Sequence, residues 1–193
     1  MDRAHDVRAW VHDAYWTQDL NCAVTTLHAL GRAFDVPMDQ QVFDAAMGMH
    51  GAGGYRAQCG LVEGGLMFIG LLGRARGIAD DVAIDGCRDY AEAFEARFGS
   101  LLCRELRPEG FKPDNPPHLC EDLTGRSILF TIDYLSRELL RGPGQEQDAA
   151  SASTGRRAGR DAKGEALYSS GASPNGPVGR GQQTGAADPR RRP

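Results

Sequence analysis

The feature that most constrains the fold is the stretch 48–73, GMHGAGGYRAQCGLVEGGLMFIGLLG, in which a glycine-rich loop leads into an apolar helix. Four of its first seven residues are glycine, which lets a backbone take positive φ and approach other groups closely. These four are Gly48, Gly51, Gly53 and Gly54. After Cys59, apolar residues surround nearly the whole helix, while Gly64 in its interior costs about 1 kcal/mol relative to alanine. We therefore predict a site-forming loop around Cys59 and a central buried helix that another helix crosses closely at Gly64.

Helical periodicity extends through the rest of residues 1–140. The further predicted helices cover 5–16, 17–34, 37–48, 87–98 and a last segment that starts near Leu119. Thr17 or Asp19 is expected to cap the second helix, and Pro37 to open the third. No run alternates with a period of two over the length of a strand. The sequence therefore predicts an all-α fold, a compact bundle of five to six helices.

Charge and composition divide the chain into two parts. Residues 1–140 carry 13 Lys and Arg against 21 Asp and Glu, whereas 141–193 carry nine against five and contain 15 Gly or Pro. The second part has too few apolar side chains to offset its ordering entropy, so we predict a folded domain at 1–140 and a disordered Gly/Pro/Arg-rich tail at 141–193. The scattered arginines of the tail, without interleaved aromatic residues, do not indicate specific nucleic-acid binding.

The cellular setting is inferred from two absences in the sequence. The first ten residues, MDRAHDVRAW, lack the apolar core of a signal peptide, and no apolar run approaches the ~20 residues of a membrane span. A cytoplasmic protein is therefore expected. Five cysteines, an odd number, in a reducing compartment argue against a disulfide framework and favour metal ligation, redox chemistry or buried thiols.

Four cysteines occupy one kind of position. Cys22, Cys59 and Cys120 fall at or next to predicted helix N-termini, and Cys103 falls on a tight turn. A helix N-terminus carries a partial positive charge, which makes a cysteine both a better nucleophile and a better metal ligand. Separations of 37, 44 and 17 residues rule out a local C-x-x-C motif, so any common site must be assembled by tertiary packing.

Cys59 is predicted to be the most readily ionised thiol, because loop N–H groups and a helix N-terminus both lie beside it. We expect the loop glycines Gly53 and Gly54 to direct N–H groups at a cofactor bound by the cysteines. Cys87, near the start of the predicted helix 87–98, lies among acidic residues that oppose ionisation.

The sequence resembles the C_GCAxxG_C_C family of redox-active proteins over residues 17–140. The resemblance is carried, in order, by NCA (21–23), CGLVEG (59–64), FGSLLCREL (98–106) and a last cysteine that opens the final helix. It implies a small helical protein whose four characteristic cysteines are Cys22, Cys59, Cys103 and Cys120, with Gly60 and Gly64 as the motif glycines that adjoin the cofactor. Leu61 replaces the alanine of the motif, and Cys87 has no counterpart. A related domain in split-Soret cytochromes implies electron transfer.

Three functions remain open. In the first, the four cysteines ligate an iron–sulfur cluster, whose negative charge helix N-termini and loop N–H groups would stabilise. In the second, they form thiol/disulfide couples in which Cys59 attacks and Cys22 or Cys103 resolves. The third is a zinc-binding structural module. Assembly by tertiary packing favours the cluster. The sequence does not identify the electron donor or acceptor. It also leaves open a homodimer in which two chains share one site.

Overall fold

A computed structural model describes residues 3–140, and within that range the chain is helical without a named strand. The helices are α1 (Arg3–Trp16), α2 (Cys22–Phe34), α3 (Gln40–Ala45), α4 (Gly51–Gly54), α5 (Gly60–Arg76), α6 (Asp80–Phe98), α7 (Cys103–Leu106) and α8 (Glu121–Tyr134). Five of these have 13 to 19 residues, and α8 continues into a π-helical turn at Leu135–Leu139. The predicted all-α bundle is confirmed. The predicted disorder of 141–193 concerns residues outside the described range.

Helix α5 is the centre of the bundle, as predicted, and packs against α2, α6 and α8. Its largest buried side chains are Leu61, Val62, Phe68, Ile69 and Leu72. At Gly64 the backbone of α2 comes so close that an added Cβ would lie 2.8 Å from the carbonyl oxygen of Ala23. The close crossing predicted from this glycine is therefore present.

The N-cap of α2 differs from the prediction. It is Asn21, not Thr17 or Asp19, and its Oδ1 accepts hydrogen bonds from the N–H groups of Ala23 at 2.9 Å and Val24 at 3.0 Å. Asp19 instead takes a left-handed conformation (φ 50°) in the turn between α1 and α2. Because the helix begins after Asn21, Cys22 is its first residue.

Replacing Asn21 by alanine is expected to lower the free energy of unfolding by about 1–2 kcal/mol, since two N–H groups lose their acceptor. The amide of Asn21 also donates to the carbonyl oxygens of Ala46 at 3.3 Å and Met47 at 3.0 Å, which ties the start of α2 to the end of α3. Chemical denaturation measures the change. Asp39→Ala is the matched control, because Asp39 caps α3 without a side-chain bond; an equal loss in both variants would contradict the assigned role.

Two further boundaries differ from those predicted. Helix α3 begins at Gln40 rather than at Pro37 and ends at Ala45. Helix α6 begins at Asp80, seven residues earlier than predicted, with Asp80 and Asp81 in its first turn, where the helix dipole favours negative charge. Cys87 consequently lies in the middle of α6, not near its start.

None of the helices in residues 3–140 combines the length and the apolar character that crossing a membrane requires. The buried apolar residues of this range run from Val11 to Leu135.

A chain that ends at Leu140 is expected to melt within about 2 °C of the full chain, because its stability should change by less than about 1 kcal/mol. Calorimetry of both chains measures this. A chain that ends at Tyr134 is the control: it lacks the buried Leu135 and should melt lower. A large loss already at Leu140 would show that 141–193 contribute to the folded domain.

Candidate four-cysteine site

All four cysteines of the predicted set lie at helix N-termini in the structure. Cys22 is the first residue of α2 and Cys103 the first residue of α7, while Cys59 and Cys120 are the N-cap residues of α5 and α8. Each thiol is therefore attached where a helix presents unsatisfied N–H groups and partial positive charge.

Backbone pairing brings two of these segments side by side. Gln58 and Leu102 form an isolated antiparallel bridge. The N–H of Cys59 donates to the carbonyl oxygen of Leu101 at 2.8 Å, and the N–H of Cys103 donates to that of Ala57 at 2.7 Å. Cys59 and Cys103, 44 residues apart in sequence, thus lie on neighbouring chain segments.

Glycines make room for two of the sulfurs. A Cβ on Gly60 would collide with the Sγ of Cys22 and with the carbonyl oxygen of Met49, so only glycine fits at this motif position. A Cβ on Gly51 (φ +74°) would lie 3.1 Å from the Sγ of Cys103. Gly51 is thus a site residue that the sequence analysis placed in the loop without assigning it a contact.

The other loop glycines do not reach the sulfurs. The N–H of Gly53 donates to the carbonyl oxygen of Gly48 at 2.7 Å, and that of Gly54 to the carbonyl oxygen of His50 at 3.2 Å. No atom lies within 4 Å of a Cβ built on either glycine. The expectation that Gly53 and Gly54 direct N–H groups at a cofactor is therefore corrected: these groups are used inside the loop.

The four thiols form one electrostatic group. Burial is the largest cause that raises the pKa of each, and repulsion from the other cysteines adds to it for Cys22, Cys59 and Cys103. Every pair among the four contributes. Negative charge on any of the other three raises the pKa of Cys22. Negative charge on Cys103 or Cys120 raises the pKa of Cys59, and negative charge on Cys120 raises that of Cys103. The four thiols therefore influence one another's ionisation.

Cys59 is not an activated thiol in this structure. Its side chain is 5% exposed, and burial raises its pKa to about 12, although the N–H groups of Leu61 and Val62 lower it in part. The prediction that Cys59 ionises most readily is therefore wrong for the metal-free site. It considered the helix N-terminus but not the loss of water around the sulfur.

Arg107 is the positive group that adjoins the site. Its Nη1 lies 3.9 Å from the Sγ of Cys120, toward which it donates. This contact and the guanidinium charge lower the pKa of Cys120 against the larger effect of burial, and Arg107 and Arg56 act in the same direction on Cys103.

Tyr15 is a neighbour of the four cysteines that no sequence motif identifies. Burial raises its pKa strongly, and negative charge on Cys22, Cys59 or Cys120 raises it further. Its hydroxyl is 2.6 Å from the hydroxyl of Thr124 on α8, so a buried hydrogen bond joins α1 to α8 beside the cysteines. Only its apolar spacing in α1 was visible in the sequence.

Cys87 lies apart from the four. Its thiol is 3.9 Å from the carbonyl oxygen of Leu66, and burial is the cause that raises its pKa. Repulsion from the other cysteines does not contribute to that shift within the described residues.

The donor set fits an all-thiolate cluster in its chemistry. Four cysteines are the usual ligands of two-iron and four-iron clusters, and N–H and guanidinium donors beside the sulfurs suit a group of net negative charge. Within residues 3–140, no three His, Cys, Asp or Glu side chains are grouped closely enough to hold one metal ion. Cys22, Cys59, Cys103 and Cys120 are the residues that would hold a cluster, which would supply one-electron redox chemistry.

This fold and site define a small all-α protein with four cysteines at helix N-termini. Residues 20–134 match the family described as "Putative redox-active protein (C_GCAxxG_C_C)", and the chain belongs to that family. The resemblance found in the sequence is thereby confirmed. Comparison with curated proteins and with solved structures found no match.

Proposed function

We propose that the protein transfers electrons through an iron–sulfur cluster held by Cys22, Cys59, Cys103 and Cys120. The observation that carries the proposal is the placement of all four thiols at helix N-termini, with Cys59 and Cys103 on paired backbone segments. Cys87, in the middle of α6, does not share that placement. Membership of a family described as redox-active supports electron transfer in general. The choice of a cluster rests on the donor set.

The chain provides the conditions in which four thiolates bind such a group. Burial and mutual repulsion make four free thiolates unfavourable together, and ligation to a cationic iron core would remove both penalties. Helix N-termini and Arg107 favour the negative charge that remains. When bound, the cluster supplies one-electron redox chemistry. Tyr15 and the buried α5 limit the access of water to Cys22 and Cys59.

A thiol/disulfide couple is the second candidate, favoured by the backbone pairing that places Cys59 beside Cys103. Two thiols would lose two electrons and two protons to an external oxidant as one S–S bond forms. The raised thiol pKa values work against it, because the thiolate is the nucleophile and little of it forms at neutral pH. A zinc module, the third function considered, would use the same four thiolates, but zinc has no redox chemistry, whereas the family is described as redox-active.

The deciding experiment is anaerobic purification followed by absorption spectroscopy and analysis of iron, acid-labile sulfide and zinc. Brown protein with iron and sulfide in equal amounts is the expected result. Colourless, metal-free protein whose thiol count falls by two or four on mild oxidation would support the disulfide couple instead. Stoichiometric zinc without a redox couple would contradict electron transfer. Cys87→Ser is the control and should behave as the parent protein in every measurement.

A further inference from the structure

Arg107 enters the proposed function only as a nearby positive charge, but its contacts indicate a more specific role. It follows α7 directly, and its backbone N–H donates to the carbonyl oxygen of Cys103 at 3.1 Å, while its side chain reaches Cys120. We propose that Arg107 is a positioning residue that sets the reduction potential of the four-cysteine site by holding a fixed positive charge against Cys120. This inference depends on the proposed redox role of the four cysteines.

Three contacts hold the guanidinium in place. Its Nε donates to the carbonyl oxygen of Gly110 at 3.0 Å, its carbon lies 4.9 Å from the centre of the Phe111 ring, and its Nη1 is directed at Cys120. The same carbonyl oxygen of Gly110 accepts from Asn115 at 3.0 Å, which fixes the turn that carries it. Because these contacts already hold the half-buried side chain in place, Arg107 does not lose further conformational freedom when the charge of the site changes.

The charge of Arg107 is not neutralised by a carboxylate. Among the described residues its side chain contacts a carbonyl oxygen, an aromatic ring and a sulfur, and none of the ion pairs involves it. Arg104, one helical turn earlier, is exposed and forms an ion pair with Glu105 at 3.7 Å. Arg107, rather than Arg104, therefore presents a positive charge without an ion-pair partner to the sulfurs. The half-buried carboxylate of Glu63 opposes it at Cys103.

Arg56 is a second, weaker contributor. Its guanidinium carbon lies 4.4 Å from the centre of the Phe111 ring, so two arginines share one aromatic side chain. Arg56 is exposed, and it acts on Cys103 less than Arg107 does. Solvent screens an exposed charge more than a half-buried one, which predicts a graded effect of the two arginines.

The direction of the effect follows from charge balance. Reduction adds one electron, delivered by a one-electron donor, to a site whose sulfurs are already negative; no covalent bond to the protein forms or breaks. A nearby positive charge stabilises the more negative, reduced state, and N–H donation to sulfur acts in the same direction. Loss of Arg107 therefore favours the oxidised state.

The test is a potentiometric titration of the anaerobically purified full chain, with dithionite as the reductant and absorbance as the readout. Arg107→Gln is expected to shift the equilibrium toward the oxidised state at least tenfold, a fall of about 59 mV for a one-electron couple. Arg107→Lys keeps the charge but loses the planar stacking on Phe111, so its reduction potential should fall by less. Arg56→Gln should shift the potential in the same direction by a smaller amount, and Arg104→Gln should leave it unchanged.

The outcomes separate this inference from the proposed function. If the parent protein shows no redox couple, the proposed function fails and the role of Arg107 fails with it. If the parent protein shows a couple whose potential is the same in Arg107→Gln, only the inference about Arg107 is overturned. An equal fall in Arg104→Gln would also overturn it, because that result would show a general effect of net charge. If Arg107→Gln does not fold, Arg107→Met, unbranched and of similar length, replaces it with the same expected result.

Discussion

Replacing Gly64 by valine is expected to lower the free energy of unfolding by about 3 kcal/mol, the upper end of the usual cost of overpacking. A Cβ at this position would lie 2.8 Å from the carbonyl oxygen of Ala23 and 2.9 Å from the Cβ of Thr26. The first neighbour is backbone and cannot turn away, so α2 and α5 would have to separate. Since Cys22 begins α2 and Cys59 caps α5, the separation should also weaken the four-cysteine site.

Gly70→Val is the matched control, because it makes the same substitution in the same helix. No atom lies within 4 Å of a Cβ built on Gly70, and valine is only slightly better than glycine in a helix, so stability should stay within about 0.5 kcal/mol of the parent. Chemical denaturation of both variants measures the difference. Equal stabilities would show that α2 and α5 do not depend on close approach at Gly64.

The fold was largely predictable because its information is local. The apolar spacing of α1, α2, α5 and α8 already shows which faces are buried, and a glycine inside an apolar helix indicates a close crossing. The boundaries were harder to predict. Asn21 and Thr17 are both good caps by residue type, and only the tertiary position of the 46–47 carbonyl oxygens, which bond Asn21, distinguishes them.

The start of α6 shows a second limit of local reasoning. Residues 80–86 contain three aspartates and a glycine and lie outside the helices predicted from sequence. In the structure they are helical, because aspartates in the first turn suit the helix dipole and α6 packs along α5. Tertiary packing thus overrides the weak propensity of these residues.

The positions of the four cysteines were predictable, but their electrostatics were not. Cys22, Cys59 and Cys120 were predicted at helix starts, where the structure has them, and Cys103, predicted on a tight turn, begins the short helix α7. Burial depends on packing from α1 and α8, which no local pattern contains, and it reverses the expected ionisation of Cys59. Arg107 was missed for the same reason, because its role depends on a tertiary contact with Cys120, 13 residues later in the chain.

Serine in place of any one of Cys22, Cys59, Cys103 or Cys120 is expected to abolish the redox couple, whereas Cys87→Ser should retain it fully. The substitution removes a thiolate ligand and leaves a hydroxyl, which remains protonated at neutral pH and is a poor ligand for iron–sulfur clusters. Iron and sulfide content, together with the amplitude of the redox titration, measures the loss. Melting curves of the metal-free proteins show whether a variant has failed to fold.

The comparison among the four variants carries the most information about the site. Because every pair of the four interacts electrostatically, one shared centre requires that all four variants lose the couple together. Retention of the full couple in Cys22→Ser or Cys120→Ser, with loss in Cys59→Ser and Cys103→Ser, would instead identify a two-cysteine couple on the paired segments 57–59 and 101–103. Loss in Cys87→Ser would contradict the site altogether, because that thiol lies on α6 beside Leu66 and not among the four.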